Sequence, residues 1–314
     1  MRCSMIYTAT LNLAIDLFID TKEMSPKIVN RTEEYDVQAN GKGVNVSLIL
    51  QQLGVTSTAL GFKAGFTGNF IDDTLRNEGI YTDFIEINGI TRINVFTHVK
   101  KKNQEYKLVN KGPKVTSEQV EMFLKQVHQL RVGDYLCLSG SFSEGVPPIL
   151  LKEIAAICQE NKVRLIIDTS YAEVLDTLSY EPFLLKPNDE ELAHWFNMEL
   201  KTLEDVIYYG KKLVEQGAQN VLISLGEKGA LFINSDQILS VNAPQGEVVN
   251  TACAGDSLLG TFLAGIIKNE AIGKNLQLAI AAGSSTAFQK GLTDFSDVPQ
   301  LMKQITVTEI MNKL

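Results

Sequence analysis

The chain is poor in cysteine, with Cys3, Cys137, Cys158 and Cys253 among 314 residues, and it has no Cys-x-x-Cys pair and no His/Cys cluster at metal-ligand spacing. That pattern excludes a disulfide framework or a structural zinc site and reads as buried free thiols in a reducing compartment. A basic excess is also missing. The 29 Lys+Arg are outnumbered by 37 Asp+Glu, a formal net charge of −8, so nucleic acid and anionic membrane are poor electrostatic partners. A small anion can still bind where a few basic residues converge. The start of the chain lacks a basic region followed by a long apolar stretch, because Asp16 and Asp20 interrupt its apolar character. Neither a signal peptide nor a membrane span is expected, and a cytoplasmic location is. No internal repeat, low-complexity tract or linker divides the sequence, so a single domain over residues 1–314 is expected. No Gly-x-Gly-x-x-Gly follows the first strand, which argues against a dehydrogenase.

What the sequence does have is 45% hydrophobic residues, ample for a large core. Met5 to Thr10 reads as a strand, Gly43 to Leu53 as a helix stopped by Gly54, Thr58 to Phe62 as a buried strand, and Asn69 to Asn77 as a helix stopped by Gly79. From Thr116 onward the two signals alternate. Helices are expected over Thr116 to Gln129, Val146 to Asn161, from Asp189, over Thr202 to Gln216, Gly255 to Lys268 and Lys274 to Gln289. Strands are expected over Tyr135 to Leu138, Val163 to Ile167 ending at Asp168, Phe183 to Leu185 and Asn220 to Ser224. This alternation predicts an α/β fold, a mainly parallel sheet with helices on both faces. Ile28 to Val37 and Ile93 to Val109 are β-rich, polar and alternating, and fit exposed strands outside that sheet.

Ligands in such folds bind beyond the carboxyl ends of the strands, and the unusual segments lie there. Asn250-Thr251-Ala252-Cys253-Ala254-Gly255-Asp256 leads into an apolar helix. Small residues let a ligand approach the backbone, and a helix start favours an anion; alternatively Asp256 caps its own helix. Lys186-Pro187-Asn188-Asp189-Glu190-Glu191 is either an Asn-x-x-Glu capping box or a pair of oxygen ligands near a hydrated Mg²⁺. Ser224-Leu225-Gly226-Glu227-Lys228-Gly229 is either a tight hairpin turn or a loop whose amides meet a phosphate. Asn40-Gly41-Lys42-Gly43-Val44-Asn45 opens a helix with donors on Lys42 and Asn45; its spacing is not that of a P-loop. Asp16 follows the first strand, and Arg92 with Asn94 opens a β-rich segment. Arginine suits bidentate phosphate recognition.

Taken in order, these motifs resemble the ribokinase-like sugar kinases of the phosphofructokinase B type over essentially the whole chain. Asn12 to Asp16 resembles that family's Asn-Pro-Ala-x-Asp turn with Leu13 in place of Pro, Asn40 to Asn45 its Gly-Gly-Lys-Gly-x-Asn loop, and Lys186 to Glu191 its Lys-Pro-Asn-x-x-Glu motif. Ser224 to Gly229 resembles its Ser-Leu-Gly-x-x-Gly loop, and Asn250 to Asp256 its signature ending in Gly-Ala-Gly-Asp. Gly65 to Gly68, Thr82 to Phe84 and Thr91 to Val95 are similar to the 1-phosphofructokinase subgroup. The resemblance implies ATP and Mg²⁺, fructose 1-phosphate as acceptor, and tagatose-6-phosphate kinase as the alternative.

It also implies roles. Asp256 is the general base, and Cys253, Ala254, Gly255 and Asp256 form the anion turn. Asp16, Gly41 and Asn45 hold sugar hydroxyls, Lys42 and Arg92 hold the substrate's phosphate, and Asn94 and Ser139 also bind the substrate. Lys186, Asn188, Ser224, Gly226 and Gly229 bind nucleotide, with Asn188 and Glu191 holding the metal through water. Segments of about 17–38 and 91–109 form a β lid that excludes water and pairs between subunits as a homodimer. Two departures besides Leu13 matter: Asn40 and Cys253 stand where the family usually has glycine. If either position needs φ > 0, the side chain costs on the order of 1 kcal/mol. Cys253 is expected to turn its sulfur into the core; facing the helix amides instead, its thiol would be more acidic. These departures favour a contrasting class, a sugar-phosphate-binding regulator without catalysis, whereas Asp256, Asn188 and Glu191 together favour an enzyme.

Overall fold

The computed structural model describes residues 4–310. Among them the first half runs β1 (Ile6–Thr10), β2 (Ala14–Thr21), β3 (Glu34–Asn40), α1 (Lys42–Gln52), β4 (Ser57–Ala64), α2 (Gly65–Asn77), β5 (Tyr81–Ile87), β6 (Arg92–Val99), β7 (Gln104–Leu108), α3 (Ser117–His128) and β8 (Tyr135–Ser139). The second half follows with α4 (Leu150–Glu160), β9 (Arg164–Asp168), β10 (Leu184–Leu185), α5 (Asp189–Phe196), α6 (Leu203–Glu215), β11 (Asn220–Ser224), β12 (Ala230–Asn234), β13 (Ile238–Val241), α7 (Ala254–Ile267), α8 (Ile272–Ala287), α9 (Val298–Met302) and β14 (Val307–Glu309).

Ten strands form one sheet in the order β14-β13-β12-β11-β10-β9-β8-β1-β4-β5. The run from β11 to β5 is parallel, and β12, β13 and β14 extend it antiparallel. The central strands are short apolar runs because both of their faces are covered. In β8, Leu136 and Leu138 join the cluster containing Phe123 of α3 and Leu151 and Ile154 of α4. The alternate residues Tyr135 and Cys137 join the cluster of α7 and α8, with Leu259, Phe262 and Ala279. The strand period of two thus sends successive side chains into two different cores. From β1 the chain builds outward in both directions, to β4 and β5 on one side and to β8 and β9 on the other. A switch point of this kind leaves a crevice beyond the carboxyl ends of β1 and β8.

The smaller sheet has the order β3-β2-β6-β7. Its register puts Leu17 beside Val37 and Val95, and Val95 beside Leu108, while Asp16 lies beside Gln38 and Asn94. One face is therefore apolar, and the other carries the polar groups nearest the crevice. The strands lie at 14–21, 34–40, 92–99 and 104–108, so the polar segment expected to be extended from Ile28 becomes a strand only at Glu34. Two helix starts differ from expectation by four residues. The second helix begins at Gly65, four residues early. The fourth begins at Leu150 rather than Val146, after Pro147 and Pro148, which lack the N–H a helix interior needs. Among the described residues no helix is long and apolar enough to cross a membrane.

Candidate active site

A cavity of about 300 Å³ occupies the crevice, lined in part by Asp16, Gly41, Lys42, Arg92, Asn94 and Glu191. β2 and β6 pair in register, so Asp16 and Asn94 lie side by side. Asp16 Oδ1 accepts from Asn94 Nδ2 at 2.8 Å and Oδ2 from Asn40 Nδ2 at 2.6 Å. Burial pushes the Asp16 carboxyl up, against the pull of these amides and the Arg92 charge. A carboxylate has about four acceptor positions, so the two that remain can take sugar hydroxyls. Gly41 has φ 137°, and a Cβ there would stand 2.6 Å from Thr10 Cγ2; glycine is what lets the start of α1 close on the end of β1.

Arg92 donates from Nη2 to the Asn12 carbonyl at 3.2 Å and from Nη1 to the Asn110 carbonyl at 3.4 Å. Its Nε is buried without a partner among the described residues. A buried unpaired donor is costly. The sequence assigns the substrate's phosphate to Lys42 and Arg92 together. Both line the cavity, but the Lys42 amine is turned to Asp168 Oδ1 at 3.0 Å, with Glu191 Oε1 at 3.9 Å.

Asp256 lies in the first turn of α7 and is buried. Its Oδ2 accepts from Asn45 Nδ2 at 2.8 Å. Burial and the nearby Asp168 charge push its carboxyl up to about 6, although Lys42, Asn45 and Lys186 oppose the shift. It is therefore mostly ionised at neutral pH. Asp168, at the end of β9, is fully buried, and its Oδ1 holds both Lys42 and Lys186, the latter at 3.2 Å. Burial alone would push its carboxyl up, but the two ammonium groups hold it below the usual value. Lys186 Nζ in turn stands 3.4 Å from where a Cβ on Gly255 would be. The two lysines therefore bring positive charge beside the anion turn.

At that turn Cys253 is in the left-handed conformation, φ 64°, which costs a non-glycine residue about 1 kcal/mol. Asn40 avoids this cost, since it ends β3 and the positive φ falls on Gly41. The Asp256 N–H is taken by the Cys253 carbonyl at 3.1 Å, and that of Ala254 leans to the Thr251 carbonyl at 3.4 Å. Among the described residues the Gly255 N–H donates to no backbone carbonyl, which leaves it open to an anion. Cys253 turns its sulfur neither to the core nor to these amides. Sγ accepts from Asn45 Nδ2 at 3.2 Å and lies 3.8 Å from Asn40 Nδ2. Burial and the Asp256 charge push the thiol up to about 12, so the acidic thiol that would follow from a sulfur facing the helix amides does not arise.

Asn188 and Glu191 form the capping box: Asn188 Oδ1 accepts from the Glu191 N–H at 2.6 Å, and Glu191 Oε2 from the Asn188 N–H at 3.0 Å. The cap leaves Glu191 Oε1 toward Lys42 and the cavity. Among the described residues no three His, Cys, Asp or Glu side chains gather as a metal cage. The pair fits a hydrated Mg²⁺ instead, since this ion keeps several waters and needs only one or two carboxylates besides substrate phosphates. Ser224 lies beside Asn188 in a parallel bridge. The Gly226–Lys228 turn leads β11 into β12 as a hairpin, with Gly229 N–H bonded to the Gly226 carbonyl. Gly229 has φ 96°, and a Cβ would stand 1.9 Å from the Val241 carbonyl, so its glycine serves the turn.

Ser139 is not brought into this group. It is fully buried and its hydroxyl pairs with Cys137 Sγ at 3.3 Å, whereas Ser141 lines the cavity. Asp168 and Ser141 were not singled out from the sequence. An ionisable residue closing the apolar run Leu165–Ile167 was the available signal for Asp168.

A profile described as pfkB family carbohydrate kinase matches residues 8–299. The chain is 46% identical to D-tagatose-1-phosphate kinase of Bacillus licheniformis over 98% of this chain and 100% of that one. It is 37% identical to 1-phosphofructokinase of Bacillus subtilis, again over 98% and 100%. In structure it resembles phosphofructokinase-2 of Escherichia coli in complex with substrates and products, with a TM-score of 0.89 at 28% identity over 95% of this chain and 98% of that one. Motifs, fold and these likenesses agree: the chain belongs to the pfkB family of carbohydrate kinases and is a sugar phosphotransferase.

Proposed function

We propose that this kinase transfers the γ-phosphoryl group of ATP to the C6 hydroxyl of a ketohexose 1-phosphate, with fructose 1-phosphate as the acceptor and Asp256 as the base. The observation that carries this reading is one cavity holding the Asp16–Asn94 pair and a guanidinium with a buried unpaired Nε, which connects through Asn40 and Asn45 to Asp256. Asp16 and Asn94 orient the sugar hydroxyls, and Arg92 takes the 1-phosphate. As the new O–P bond forms and the bond to ADP breaks, the hydroxyl proton passes to the Asp256 carboxylate. Gly255 N–H, Lys42 and Lys186 stabilise the charge on the transferring group. Mg²⁺, held through water by Asn188 and Glu191, supplies neutralising charge to the nucleotide phosphates when bound.

A second reading takes tagatose 1-phosphate as the acceptor. The 46% identity to a D-tagatose-1-phosphate kinase favours it, and it replaces tagatose 6-phosphate as the alternative. The smaller sheet acts as a lid, and its apolar face, where Val37 and Leu108 lie and Tyr35 is 74% exposed, fits against a second copy of the same sheet in a homodimer. A sugar-coupled assay of ADP release with the 1- and 6-phosphates of fructose and tagatose tests the reading. The expected result is a kcat/KM roughly 100-fold higher for a 1-phosphate. A preference for 6-phosphates, or no sugar-dependent ADP, would contradict it.

A further inference from the structure

Asn40 stands where the family pattern has glycine, and its side chain has a definite task. Its Nδ2 donates to Asp16 Oδ2 at 2.6 Å, while its Oδ1 accepts from Asn45 Nδ2 at 2.9 Å. Asn45 Nδ2 also donates to Asp256 Oδ2 at 2.8 Å. The two ends of this chain are carboxylates, which only accept when ionised. They fix the orientation of both amides between them: nitrogen of Asn40 toward Asp16, oxygen toward Asn45, nitrogen of Asn45 toward Asp256. Turning either amide over would set an oxygen against a carboxylate. Cys253 Sγ lies against both nitrogens, at 3.2 Å from Asn45 and 3.8 Å from Asn40. The two positions at which this chain replaces a family glycine therefore touch each other. Glycine at 40 would leave Asn45 without this oxygen and Asp16 without this donor.

We propose that Asn40 is a positioning residue for phosphoryl transfer: with Asn45 it forms a hydrogen-bond relay, closed by Cys253, that ties the sugar-binding carboxylate of Asp16 to the base Asp256. The proposal rests on the reading of Asp256 as the base. The relay spans Asn94 on β6, Asp16 on β2, Asn40 on β3, Asn45 on α1 and Asp256 on α7. It links the smaller sheet, which contacts the sugar, to the helix that carries the proton acceptor. Sugar hydroxyls that order Asp16 thereby order the amide that holds the base. The other groups acting on Asp256 are Lys42 from α1, Asp168 from β9 and Lys186 after β10, with the Cys137 and Cys253 thiols nearby. None of these makes a side-chain bond to Asn40 except Cys253.

The test uses Asn40→Leu, close in shape but without donor or acceptor, beside Asn40→Gly, which restores the family residue. Kinetics are measured from pH 5 to 8 on variants whose melting curves show a folded protein. With the relay cut, KM for the sugar phosphate should rise roughly tenfold while KM for ATP stays. The acidic limb of kcat/KM should move up by about half a pH unit or more, because Asn45 no longer favours the ionised base. The second ionisation of the sugar phosphate, at about 6, is common to every variant, so differences between variants report the enzyme. A space-filling role predicts that Asn40→Leu behaves as wild type. An unmoved limb and unchanged sugar KM in either folded variant would overturn the relay. Asp256→Asn, measured in parallel, separates the two ideas: if it keeps turnover the base assignment fails, and if it loses turnover while Asn40 variants are unchanged only the relay fails.

Discussion

Asn45 Nδ2 donates to Asp256 Oδ2 at 2.8 Å and so joins the first turn of α1 to the first turn of α7. This bond favours the ionised carboxylate, while burial and Asp168 oppose it, and the balance leaves Asp256 at about 6. With Asp256 as the proposed base, activity is then lost by protonation as the pH falls below that value. The kcat/KM of the free enzyme should decline by about tenfold per pH unit on the acid side of 6. A profile flat down to pH 5 would separate Asp256 from proton transfer.

The same shift makes a stability prediction. The folded-state value of Asp256 is raised above its ordinary 3.8, so its contribution is fully present below about pH 4 and is lost as the pH rises through 6. At neutral pH the buried charge is a burden of up to about 3 kcal/mol. Asp256→Asn should therefore raise the melting temperature at pH 7.5, with the gain vanishing toward pH 4. A variant less stable than wild type at pH 7.5 would show that the charge is fully compensated by Lys42, Lys186 and Asn45.

Arg92→Ala should raise KM for the sugar phosphate roughly 100-fold or more, with little change in KM for ATP, because it removes a charged donor to the substrate's phosphate. Steady-state kinetics with each substrate varied decides the matter. Equal effects on both substrates would assign Arg92 to the packing of the smaller sheet against Asn12 and Asn110 instead.

Glu191→Gln separates the two tasks of that side chain. Glutamine at this position still completes a capping box, so the start of α5 should keep its stability. Loss of the Oε1 charge toward the cavity should raise the Mg²⁺ concentration for half-maximal rate several-fold. A lower melting temperature with unchanged Mg²⁺ dependence would leave only the cap.

The parts of this site that the sequence made legible are those whose signal is local. The Asn188–Glu191 spacing announced the cap, and α5 starts directly after Asn188. Asp256 was legible because a carboxylate opens an otherwise apolar helix. The parts that were not legible depend on long-range pairing. β2 and β6 are parallel neighbours far apart in sequence, so nothing local showed that Asp16 and Asn94 would meet. Lys42 has the same flexible stem whether it turns to Arg92 or to Asp168, and only the position of β9 decides it. Asn40 read as a departure from a glycine loop, since its partners Asp16 and Cys253 lie 24 and 213 residues away.

The most direct test of the account is single-turnover phosphoryl transfer by folded Asp256→Asn, with nucleotide binding confirmed separately. Removing the proton acceptor while keeping the shape of the side chain should slow transfer to the ketohexose 1-phosphate by roughly 100-fold or more, with nucleotide affinity preserved. Transfer at a rate near wild type would contradict the account, because the charge buried at the start of α7 would then have no part in the chemistry.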